Sequence, residues 1–114
     1  MKWEIGSRNV EWSNEGDHIV KVFAHPVQRA IMLADNSGVA VVEGLEASAP
    51  NNAVIFNLDG SERVRIKEKG IPFQGIGFYN IYYLGNDLTL SYACSGVDYA
   101  VVINSNNGDT ISYQ

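Results

Sequence analysis

Two histidines, one cysteine and thirteen carboxylates are the groups in this 114-residue chain that could carry proton, metal or nucleophile chemistry. His18, His25 and Cys94 invite a thiolate activated by an imidazole, the pairing that cysteine nucleophiles use. Cys94, however, closes the apolar string SYAC, where a free thiol behaves as a small hydrophobe. His18 opens a run with Val20 and Val22 at alternate positions, and His25 precedes Pro26 at a turn, so both read as structural or surface residues. Two histidines seven positions apart with one distant cysteine match no zinc spacing. The string NSNNGD at Asn104 to Asp109 has the look of a calcium loop, but its glycine falls one place early and no glutamate closes the site, which leaves a hairpin turn. QGIGFYN, Gln74 to Asn80, carries Gly75 and Gly77 without the third glycine and helix of a dinucleotide site. Glu43 and Glu46 in VVEGLEASAP come nearest to the carboxylate pair of a glycosidase, with no aromatic platform beside them. The expectation is a non-enzymatic chain that uses neither metal nor cofactor.

Charge points instead to binding. The net charge is −5, and residues 30–62 hold Asp35, Glu43, Glu46, Asp59 and Glu62 without a single base. Such a surface repels nucleic acid and attracts a basic protein. Arg63, Arg65, Lys67 and Lys69 follow, alternating with Val64 and Ile66, so on a strand they share one face. A row of this kind reads as edge protection, with an anion-binding stripe as the alternative. In the aromatic cluster Phe73, Phe78, Tyr79, Tyr82 and Tyr83, simple alternation separates Tyr79 and Tyr83 from Phe78 and Tyr82, one pair inward and one outward. Outward tyrosines are favoured interface anchors. The candidate partner-binding residues are therefore Asp35, Glu43, Glu46, Asp59, Tyr79 and Tyr82.

Short runs must position these groups. Turn-forming residues recur about every ten positions, and between them lie HIVKVF, GVAVV, NAVIFN, RVRI, FYNIYYL, DLTLSY and YAVVIN, rich in the residues that favour strands. Asp59-Gly60 and Asn107-Gly108 sit between apolar runs as hairpin turns do. Residues 26–36 also fit a helix, with Pro26 at its first turn and Val27, Ala30, Ile31 and Ala34 on one face. An internal repeat favours a strand there. Ala53-Val54-Ile55-Phe56-Asn57 overlies Ala100-Val101-Val102-Ile103-Asn104 at an offset of 47, and upstream, at a slightly different spacing, Ile31-Met32-Leu33 corresponds to Tyr82-Tyr83-Leu84. The pattern predicts a single all-β domain over 1–114, with antiparallel four-strand units over about 27–66 and 78–113 and a partial unit from Lys2 to Phe23. A spacing in the mid-forties is that of a propeller blade, so an open, propeller-like meander is expected, with a β-sandwich as the alternative.

The string AVIFNLDGSERVRI resembles the outer hairpin of a six-bladed-propeller repeat, an apolar strand and a return strand joined by an Asp-Gly turn. In size, charge and β-meander character the chain is similar to small bacterial immunity proteins of contact-dependent growth-inhibition systems. That resemblance implies a cytoplasmic inhibitor that occludes the active site of a basic toxin nuclease. The N-terminal string MKWEIGSRNVEW has no signal-peptide core and no stretch is apolar enough to span a bilayer, which fits the same compartment, as does the unpaired cysteine. The alternatives are a small carbohydrate- or ligand-binding domain stacking its ligand on Trp12, Tyr79 or Tyr82, and a structural subunit whose copies form a homo-oligomer through open strand edges.

Overall fold

The computed structural model describes residues 1–44, 51–67, 77–94 and 96–114. Glu46, Lys69, Phe73, Gln74, Gly75 and the Cys94 side chain lie outside that description. Ten strands form three antiparallel sheets: a hairpin of β1 (Asn9–Asn14) and β2 (Asp17–Val22); a meander of β3 (Val27–Met32), β4 (Gly38–Glu43), β5 (Ala53–Asn57) and β6 (Glu62–Ile66); and a second meander of β7 (Gly77–Leu84), β8 (Asp87–Cys94), β9 (Val97–Ile103) and β10 (Thr110–Tyr113). The protein is all-β, and the described residues contain no helix, hence none long and apolar enough to cross a membrane. Residues 27–32 are strand rather than helix because Ala30, Ile31 and Met32 pair in register with Val41, Ala40 and Val39.

The sheets stack with β3–β6 in the middle. One face of it, with Ala40, Val42, Ala53, Ile55 and Ile66, packs against Phe78, Ile81, Leu88, Leu90, Tyr92, Val101 and Ile103 of β7–β10. Its other face, with Val39, Val41, Val54 and Phe56, packs against Val10 and Trp12 of the hairpin. Every residue of β4 is buried as a result. Apolar burial of this kind stabilises by about 25 cal/mol per Å², so a central strand covered twice contributes on both faces. The stack measures 44 × 27 × 20 Å.

The repeated segments occupy equivalent places, since Ala53–Asn57 and the segment around Ala100–Ile103 are each the third strand of a meander. The hairpin carries a third copy of the last two strands: Val10 pairs with Lys21 and Glu11 with Val20, as Val54 pairs with Arg65 and Ile55 with Val64. Its turn, Glu15-Gly16, has φ of 51° and 85°, the two positive values of a two-residue type I′ turn. By this correspondence Trp12 is the counterpart of Phe56, and the two rings meet with centroids 6.2 Å apart. The hairpin therefore docks back to back on β3–β6, whereas β7–β10 docks its back on the opposite, front face.

Local devices hold the layers. Asn52 is fully buried; its amide donates to the carbonyls of Glu43 and Phe78 and accepts from the Phe78 N–H at 2.9 Å. It thus acts as a short extra strand along the edge of β7 and satisfies backbone groups that would otherwise be orphaned. Arg29 caps the same edge, donating from Nε to the Ile81 carbonyl at 3.0 Å. Gly38 must be glycine, because a Cβ there would collide with the Phe56 carbonyl oxygen. A bulge between Phe78 and Asn80 resets the alternation of β7. Phe78, Ile81 and Tyr83 consequently face the core together, leaving Tyr79 and Tyr82 on the outer face, which corrects the pairing that strict alternation gives.

Candidate functional site

In a meander, the turns after the first and third strands lie at one end of the sheet. In β3–β6 those turns carry Asp35 and Asp59, both exposed. Asp35 Oδ1 accepts the Ser37 N–H at 3.0 Å, and Asp59 Oδ1 accepts the Ser61 N–H at 2.9 Å and the Ser61 hydroxyl at 2.6 Å. These are Asx turns, in which the side chain completes the reversal of the backbone. Ser37, through its side chain and then its N–H, holds the Asp35 carboxyl below its usual range; Ser61 does the same for Asp59, and the charges of Arg63 and Lys21 add to the respective effects. Both carboxylates therefore stay ionised through the physiological range.

Arg63, entering from β6, ties these turns together. Its Nε donates to Asn57 Oδ1 at 2.7 Å, Nη2 to the Ser37 carbonyl at 2.8 Å and Ser37 Oγ at 3.1 Å, and Nη1 to the Ser105 carbonyl at 3.3 Å. One planar guanidinium thus fixes the β3–β4, β5–β6 and β9–β10 turns relative to each other. A third aspartate joins them from the neighbouring sheet, for Asp87, just after the β7–β8 turn, lines the same cleft as Asp35. The repeat register held the signal for Asp87, because Tyr82-Tyr83-Leu84 overlies Ile31-Met32-Leu33 and places the two following turns at one end. Asp109 is set apart, in a depression it shares with Arg65 and Lys67.

The other sequence-derived candidates do not join this group. Glu43 is only 8% exposed and sits at the far end of β4, its Oε2 3.4 Å from Arg65 Nη1. It is an internally paired carboxylate and not a free contact for a partner. Arg65 also donates to the Asn51 carbonyl at 2.9 Å and lies 3.6 Å from Glu62. The linear acidic run over 30–62 thus overstated the negative surface, because strand pairing brings Arg65 across to two of its acids. Tyr79 lies near the start of β7, about 17 Å of strand from Leu84 at the turn end. Its hydroxyl donates to Asp98 Oδ2 at 2.9 Å, and this bond, with some burial, raises its pKa above the ordinary 10.0. Tyr82 shares that outer face, half-buried beside Thr89.

Of the stacking candidates, Trp12 is lost: it is 3% exposed, with its Nε1 donating to the Leu58 carbonyl at 2.7 Å. His18 lies on the exposed face of the hairpin, 2.8 Å from Glu11 Oε1. The basic row does run along an edge strand, β6, yet Arg63 and Arg65 are engaged by carbonyls and carboxylates of their own chain and form no open anion stripe. Among the described residues no three His, Cys, Asp or Glu side chains are grouped as metal ligands would be. Compared with known protein families, curated proteins and solved structures, the chain matches none of them.

Proposed function

We propose that this protein is a non-enzymatic, protein-binding inhibitor that covers a cationic surface of its partner with the aspartate-bearing turn end, in the manner of an immunity protein neutralising a basic nuclease toxin. The observation that supports this most is the placement of Asp35 and Asp59 on turns braced by Arg63, with Asp87 lining the same cleft as Asp35. The turn segments 33–38, 57–61 and 84–87 contain no Lys or Arg. The two cations nearby are already engaged, Arg63 by turn oxygens and Lys21 with its Nζ 5.1 Å from the centroid of the Phe56 ring. A nuclease cleft that holds phosphate presents the opposite sign, so long-range attraction would speed encounter and the braced carboxylates would occupy phosphate positions. Such an inhibitor works in the reducing cytoplasm, the compartment that a single unpaired cysteine fits.

The test is capture of partners from the source cells by the tagged protein, by its Asp35→Asn, Asp59→Asn, Asp87→Asn triple variant, and at low and high salt. The reading expects a basic protein held by the wild type, released by salt, lost in the triple variant, and stripped of its nuclease activity by one equivalent of the chain. Capture that ignores both salt and the three substitutions, or a partner whose nuclease activity survives binding, would overturn it.

A further inference from the structure

We infer that the cleft between the β3–β4 and β7–β8 turns seats a lysine side chain of the bound partner; this inference rests on the protein-binding reading above and gives it a specific contact. The cleft has a volume of about 260 Å³ and opens where the two four-stranded sheets meet at the turn end. Its lining has two chemistries. Leu88 and Ile103, 4% and 3% exposed, line it from the core side, and Ile111, 64% exposed, adds an apolar wall. Asp35 from the β3–β4 turn and Asp87 from the start of β8 add two carboxylates. Tyr83 stiffens the wall between them, its phenol oxygen accepting the Ala34 N–H at 2.9 Å.

No lysine or arginine lines this space. Arg63 acts on Asp35 from behind Ser37, with its guanidinium already donating to turn oxygens, so it leaves the cleft to an incoming cation. A lysine matches both chemistries at once, since its four-carbon stem covers apolar surface while the ammonium stays in water beside acids. Three rotatable donors on a point charge also suit two carboxylates on separate turns better than a planar fork does.

The test needs no partner. Nα-acetyl-lysine N-methylamide is titrated into the ¹⁵N-labelled protein, with the norleucine analogue as an uncharged probe of nearly the same shape. The inference expects saturable, salt-sensitive shifts at Ala34, Asn86 and Ile111, about three- to tenfold weaker for the norleucine probe and for the Asp35→Asn, Asp87→Asn variant, in line with one or two exposed ion pairs. Asparagine at 35 retains the oxygen that accepts from Ser37, so the variant keeps its turn and its dispersed spectrum serves as the folding control. Equal binding of the two probes, an unchanged response in the variant, or no saturable shift at these amides overturns the cleft assignment. If that happens while partner capture still depends on the three aspartates, the lysine seat alone falls; if capture is also indifferent to them, the functional reading falls with it.

Discussion

The two four-stranded meanders share one strand order and differ in how many of their faces are covered. The β3–β6 sheet is packed on both sides, and β7–β10 on one. Their sequences record the difference at equivalent positions. Ala40 and Val42 on the front of β4 correspond to Thr89 and Ser91 on the outer face of β8, Ile31 to Tyr82, and Val64 to Ser112. Tyr82, Ser91 and Ser112, all at least partly exposed, thus replace aliphatic residues where no further sheet follows, as in terminal repeats that keep a stack soluble, while Thr89 is 1% exposed and donates its hydroxyl to the Asp87 carbonyl. The hairpin closes the opposite end by docking back to back, which uses the remaining back face of β3–β6. Among the described residues both exposed sheet faces are then fronts.

The comparison breaks most visibly if equivalent core truncations cost the same. Ile55→Ala, in the doubly covered sheet with Ile55 0% exposed, is expected to cost about 2–5 kcal/mol by denaturant unfolding. Val102→Ala, its counterpart 47 positions on, is half-exposed and should cost under about 1 kcal/mol. Equal losses would mean that the outer face of β7–β10 is covered in solution, and a midpoint dependent on protein concentration would then identify self-association.

The seam between the sheets should be nearly as sensitive. Asn52→Ala removes the partner of three buried backbone groups and should cost about 2–4 kcal/mol, whereas Asn80→Ala, on the same strand edge and half-buried, should cost under about 1 kcal/mol. Arg63→Met keeps much of the side-chain volume but frees three turns; a loss of about 1–2 kcal/mol with faster amide exchange at Ser37 and Ser61 is expected, and Arg63→Lys should recover only part of it. Unchanged exchange at those amides would mean that the turns hold themselves. The smallest effect is on acid stability. Asp35 and Asp59 titrate below 3.8 when folded, so what they contribute is present above that pH and fades as the pH falls through their lowered values. Thermal melts should thus show the Asp35→Asn, Asp59→Asn variant losing slightly less stability than the wild type below about pH 4, and no such convergence would disconnect the Asx turns from folding.

Much of this was legible in the chain. Turn spacing and the 47-residue offset gave the strands, the meanders and their correspondence, because a two-residue pleat period and Asp-Gly turns are local signals. A signal for the central layer was also present: GVAVV and AVIF are continuously apolar, whereas DLTLSY alternates, which separates strands covered on two faces from those covered on one. The bulge in β7 was not legible, since nothing local in FYNIYYL distinguishes it from regular alternation, and it decides which tyrosines face out. Glu43 misled for a related reason. Its partner Arg65 is distant in sequence and close only after β4, β5 and β6 pair, so a charge count along the chain assigns an open acid where there is a half-buried ion pair. Asp35 and Asp59 were singled out by the base-free acidic run over 30–62, and their exposure follows from their place in turns, whereas Asp87 needed the repeat register to be carried one turn further.

The most direct test of the acidic turn end is the rate of association with the captured basic partner, followed by stopped flow from low to high salt for the wild type and the Asp35→Asn, Asp59→Asn, Asp87→Asn variant. Electrostatic steering through this end predicts a wild-type rate that falls steeply with salt and a variant about tenfold slower at low salt, with a flattened salt dependence and little change in dissociation. Superimposable rate-against-salt curves for the two proteins would contradict it and remove the turn end as the binding surface.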